Sequence, residues 1–119
     1  MSELKAAETP SETISKMADH ATATDARGRL IRVNRLNALQ FYRLTKTMGA
    51  AASNPATMDL AILASSVAKI DATPIAFPAT ERDVEFLIQQ LDFDGIAAAG
   101  EALKKLAGDE TVELEAAKN

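Results

Sequence analysis

Residues 70–91 read IDATPIAFPATERDVEFLIQQL, and the reading of this stretch decides the expected fold. Pro74 and Pro78 fix φ and push Thr73 and Phe77 into extended geometry, so a helix reaching Ile70 cannot continue through them. Thr80 is then a suitable N-cap with Asp83 three residues on, close to the capping-box pattern. Beyond it Val84, Leu87, Ile88 and Leu91 recur at helical spacing on one face. The stretch therefore predicts a rigid extended elbow that leads into a capped amphipathic helix.

Upstream of the elbow, Asn54-Pro55 supplies an N-cap with proline at the first helical position. The helix it opens is expected to run to about Ile70, with Leu60, Leu63, Val67 and Ile70 on its core face and Met58 and Ile62 nearly opposite. Asn37 caps an earlier helix that ends at Met48 and is closed by Gly49, with Leu36 and Phe41 placed as a hydrophobic staple. Phe41, Leu44 and Met48 line one side of it, whereas Leu39 and Tyr42 lie on another, beside Arg43 and Lys46. Before that, Asp25-Ala26-Arg27-Gly28 reads as the turn of a hairpin, with Ile31 and Val33 sharing a face after it. Downstream, Asp92 or Asp94 caps a fourth helix carrying Ile96, Leu103 and Leu106, where Ala99 and Gly100 allow close helix contact.

The expected fold is mainly α, a small domain of about four helices with a short N-terminal β-hairpin over residues 21–107. A flexible arm at 1–20, rich in Ser, Thr, Glu and Ala, and a flexible acidic tail at 108–119 flank it. Its predicted core is Leu60, Leu63, Val67, Val84, Leu87, Ile88, Ile96 and Leu103. With 47% hydrophobic residues but only 4% aromatic, that core has to be small and aliphatic.

Composition narrows the function. There is no cysteine, so a disulfide framework or thiolate metal site is excluded, and His20, the single histidine, reads as an inert surface residue. No apolar run is long enough to span a bilayer, and MSELKAAETPSETISK at the start is polar where a signal peptide needs an apolar stretch, which points to a cytoplasmic protein. No Gly-Lys-Ser or Gly-Lys-Thr phosphate loop occurs. The acidic pairs have non-catalytic explanations: Asp92 and Asp94 suit a helix cap, and Asp109 and Glu110 lie in the charged tail. No enzyme, cofactor or metal is expected.

The charge is unevenly spread. Residues 26–58 hold six basic side chains (Arg27, Arg29, Arg32, Arg35, Arg43 and Lys46) and no acidic one, while residues 81–119 hold ten acidic against four basic. Arginines along a hairpin and helix could track phosphates, yet the helix after Asn37 offers mainly Gln40 and Arg43 to read bases, so specific nucleic-acid binding is not expected. The stronger signal is apolar side chains off the core stripes. Tyr42, Ile62 and Phe86 are the candidate partner-binding residues.

The Asp-Ala-Arg-Gly turn leading into LIRVNRLNALQFYRL, then LAILASSVAKID, the Pro-Phe-Pro elbow and the FLIQQLDFDGI junction together resemble the tail assembly chaperones of long-tailed bacteriophages and prophages. The similarity covers roughly residues 22–106. It implies a non-enzymatic viral protein of the host cytoplasm that binds the tape measure protein and keeps it soluble while tail tube subunits assemble around it. It implies absence from the mature virion, and weak homo-oligomerisation is a further expectation. The competing classes are a small DNA-binding or regulatory domain and a structural virion tail-completion adaptor.

Overall fold

The computed structural model describes residues 19–118, with side chains described from 19 to 108. Most of the expected N-terminal arm lies outside the described residues. Strand β1 (His20–Thr24) and strand β2 (Leu30–Asn34) form the expected hairpin. Helix α1 (Ala38–Met48) follows, then a 3₁₀ turn (Gly49–Ser53) and helix α2 (Pro55–Ser66). Strands β3 (Val67–Ile70) and β4 (Thr73–Pro74) precede helix α3 (Glu81–Lys118).

This corrects the mainly α expectation. The described residues form a mixed α/β domain: three α-helices and a four-stranded antiparallel sheet of order β1-β2-β3-β4. Helix α2 stops at Ser66, and the four residues that continue its period pair with β2 instead, Ile31 opposite Ile70 and Val33 opposite Val67. The register shifts between Arg32 and Val33, leaving Ala68 as the extra residue. Val67 and Ile70 are β-branched and serve a pleated ladder as readily as a helix, so the open edge of β2 decides their state. Asp71 then makes the reversal into β4, adopting φ 56, with its carboxylate accepting from the Leu30 N–H at 2.9 Å. Pro74, with no N–H to donate, sits in the edge strand. The expected third and fourth helices are one element, α3, broken at Asp92 (φ 58, ψ −171).

The local caps form as read. Asn37 and Gln40 make a reciprocal capping box on α1, and Gly49 closes it with φ 57. Asn54 caps α2, with Pro55 first in the helix. At the head of α3 the Asp83 N–H donates to Thr80 Oγ1 at 3.1 Å while Asp83 Oδ2 accepts from the Thr80 and Ala79 amides.

Two apolar clusters hold these elements. The first lies between the sheet and α3 and includes Ala23, Ile31, Val33, Val67, Ile70, Leu87, Leu91, Ala99, Ala102 and Leu106. The second joins α1, α2 and the start of α3 through Leu44, Met48, Met58, Ala61 and Val84. Full burial of a side chain such as Ile31 or Leu44 contributes about 1.5–3 kcal/mol. Of the expected core, Val67, Val84 and Leu87 are buried, while Ile88, Ile96 and Leu103 are partly buried against the clusters. Leu63 is half-buried, beside Gly100, and Leu60 is 40% exposed. Met58, expected on the far side, is buried instead. Helix α2 is apolar nearly all round, so periodicity does not encode its facing; its small Ala61 and Ala64 turn inward and let its backbone approach the neighbouring elements.

Candidate partner-binding surface

The acid-free stretch from Ala26 to Met58 is used in two ways. At the hairpin turn it is engaged. Asp25 is buried: its Oδ1 accepts from the Arg27 and Arg29 amides at 3.0 and 2.8 Å, and its Oδ2 from Arg29 Nε at 2.7 Å. Burial pushes its carboxyl up, but the Arg29 amide and guanidinium and the Arg27 amide outweigh this and hold it below the ordinary value. The fork of Arg29 reaches across to α3, donating through Nη1 to the Gln90 carbonyl at 3.0 Å and through Nη2 to the Leu91 carbonyl at 2.8 Å. Those carbonyls end the first segment of α3 and lose helical partners at the break, so Arg29 supplies a C-cap from another part of the chain.

Arg27 holds the other side of the break, with Nη2 on Asp92 Oδ2 at 2.9 Å and Nε on Asp94 Oδ2 at 3.2 Å. The Phe93 N–H and then the Arg27 guanidinium draw the Asp92 carboxyl below its ordinary value. Gly95 completes the junction. A Cβ there would lie 2.9 Å from Leu91 Cβ and Cδ2 and 3.2 Å from Arg29 Nη2, so a larger residue forces Leu91 to shift and crowds the Arg29 guanidinium.

On α1 the basic side chains are disposed differently. Leu44 and Met48 are buried on its inner side, while Leu39, Tyr42, Arg43 and Lys46 are exposed on its outer side. Phe41, expected beside Leu44, is also exposed. Lys46 Nζ stands 5.4 Å from the centre of the Tyr42 ring. Arg43, Lys46 and Thr47 form one wall of a groove of about 430 Å³ whose other wall is Phe77, Pro78 and Ala79. A second groove of about 330 Å³ runs along the opposite flank of the elbow, between residues 74–78 and the Phe86, Leu87 and Gln90 side of α3.

The three sequence candidates are thus divided. Tyr42, 59% exposed, and Phe86, 64% exposed, both stand at the surface on different helices, with Phe86 lining the groove beside the elbow. Ile62 is half-buried and packs against the second cluster. Phe93, which sequence reading did not single out, is the most exposed large apolar residue among the described residues, at 86%. Its flanking by Asp92 and Asp94 was the available signal, because a ring between two carboxylates is poorly placed for a core. His20 is exposed at the start of β1. Among the described residues no group of three or more His, Cys, Asp or Glu is placed to hold a metal ion, and no helix is long and apolar enough to cross a membrane.

Comparison with known proteins finds no match to a family model, to a curated protein or to a solved structure. The functional reading rests on the sequence resemblance and on this surface.

Proposed function

We propose that the chain is a non-enzymatic tail assembly chaperone of a long-tailed phage or prophage, which binds the tape measure protein and keeps it soluble in the host cytoplasm during tube assembly. The observation that supports this reading is the set of large apolar side chains, Leu39, Tyr42, Phe86 and Phe93, held at the surface of well-capped helices. An exposed apolar set on a folded domain is suited to covering apolar surface on a client. The DNA-binding alternative loses ground because Arg27 and Arg29 already engage aspartates and helix carbonyls.

Co-expression with the tape measure protein encoded alongside it tests the proposal. The soluble yield of the client is expected to rise several-fold over expression alone. An unchanged yield in the presence of folded protein would contradict the assignment.

A further inference from the structure

Helix α1 is anchored on one side and open on the other. Its capping box, its glycine closure and the burial of Leu44 and Met48 fix its position. Leu39, Tyr42, Arg43 and Lys46 then recur at spacings of three and four residues and form one outward stripe about 10 Å long. Arg43 and Lys46 also line the groove against Phe77, Pro78 and Ala79, so stripe and groove are continuous. The surface has an apolar centre in Leu39 and Tyr42 and a cationic margin, in a stretch of sequence, Ala26 to Met58, that carries no acidic residue.

We infer that this face is a docking surface for an acidic amphipathic helix, and that, on the chaperone reading above, it receives a client segment of that character. Charge complementarity selects the sign: carboxylates meet Arg43 and Lys46 while nothing on α1 repels them. The exposed Tyr42 ring and Leu39 select a helix over a bare polyanion, since a phosphate backbone would engage only the two cations and leave the apolar centre wet. An apolar strip on the incoming helix at i, i+3, i+4 and i+7 packs on Leu39 and Tyr42, with one edge against Phe77 and Ala79. The groove beside Phe86 is lined by Asp83 and by no basic residue, so it does not favour an acidic helix, and the face on α1 does.

The chain carries its own reporter. Tyr42 is the single tyrosine and there is no tryptophan, so tyrosine emission reads this face alone. The probe is a labelled synthetic helical peptide without Tyr or Trp, with leucines at the i, i+3, i+4 and i+7 positions and glutamates flanking them. Comparison peptides replace the glutamates by lysines or the leucines by serines, and a DNA duplex of similar length serves as the polyanion. With the full wild-type chain, the acidic leucine peptide is expected to bind at least tenfold more tightly than either altered peptide or the duplex at physiological salt, and to change Tyr42 emission on binding. The variant R43E/K46E is expected to lose that binding at least tenfold and to prefer the lysine peptide.

Equal binding of the glutamate and lysine peptides, tighter binding of the duplex, or peptide binding with unchanged Tyr42 emission would each overturn the inference. The wild-type comparison alone decides this, whether or not the variants fold. The result is separable from the functional proposal. Client solubilisation without acidic-peptide binding removes the docking face but keeps the chaperone, and peptide binding without client solubilisation does the reverse.

Discussion

Arg27 and Arg29 at the hairpin turn and Arg43 and Lys46 on α1 come from one acid-free run of sequence, yet the fold treats them oppositely. The turn arginines are matched to two aspartates and two helix carbonyls of α3, around a backbone break held by Asp92 at φ 58. A non-glycine residue in this conformation costs of order 1–3 kcal/mol, and the surrounding bonds make it persist. The α1 cations stand at the surface beside exposed Leu39 and Tyr42. The difference shows that a basic run is not one functional object. Arg27 and Arg29 tie a sheet to a helix, whereas Arg43 and Lys46 stand exposed on α1, with Lys46 over the Tyr42 ring.

The largest expected effect breaks the tied region. Asp25→Ala removes the acceptor of two turn amides and of the Arg29 guanidinium, and is expected to cost about 3 kcal/mol in denaturant unfolding. Gly95→Ala should follow at about 1–3 kcal/mol, because its Cβ has to displace Leu91 or Arg29. Neither change touches α1, so acidic-peptide binding by the folded fraction should be retained. If Asp25→Ala proves neutral, the turn is not what fixes the break in α3.

Acid sharpens the same contrast. Asp25 is held below its ordinary value in the folded chain, so the unfolded chain takes up the proton first as pH falls. The stability it contributes is therefore full above its unfolded value near pH 4 and is lost as pH falls further, through the folded value. Chemical unfolding at pH 7 and at about pH 3 should show this loss, and Asp25→Ala should show less of it. Arg27→Ala should have the smallest effect on unfolding of the three, since its partners Asp92 and Asp94 are solvent-exposed and the pairs are screened by salt.

What could be read from sequence follows the range of the interaction. The Asp25-Gly28 turn and the caps at Asn37, Asn54 and Thr80 are made by residues a few positions apart, and each forms as expected. The identity of β3 is not local. Val67 and Ile70 continue the apolar period of α2, and only the unpaired side of β2 makes them a strand. The facing of α2 was equally hidden, because burial selects small Ala61 and Ala64 over larger Leu60 through backbone proximity rather than side-chain hydrophobicity. Arg29 capping carbonyls 61 and 62 residues away lies beyond any spacing rule. At the candidate surface, Tyr42 and Phe86 were legible as apolar residues off the core stripes. Ile62 is half-buried against the second cluster, and the flanking of Phe93 by Asp92 and Asp94 was a signal left unread.

The central claim, that the open part of the basic run is the partner surface, is tested most directly on α1 itself. Leu39→Ser, Tyr42→Ser, Arg43→Glu and Lys46→Glu combined alter exposed side chains only, and are expected to shift unfolding free energy by no more than about 0.5 kcal/mol per site. The decisive measurement is the soluble fraction of co-expressed tape measure protein with this variant beside wild type. The account predicts that client solubility falls to the level seen without any chaperone, while the variant itself stays folded. Client solubility equal to that given by wild type would contradict it.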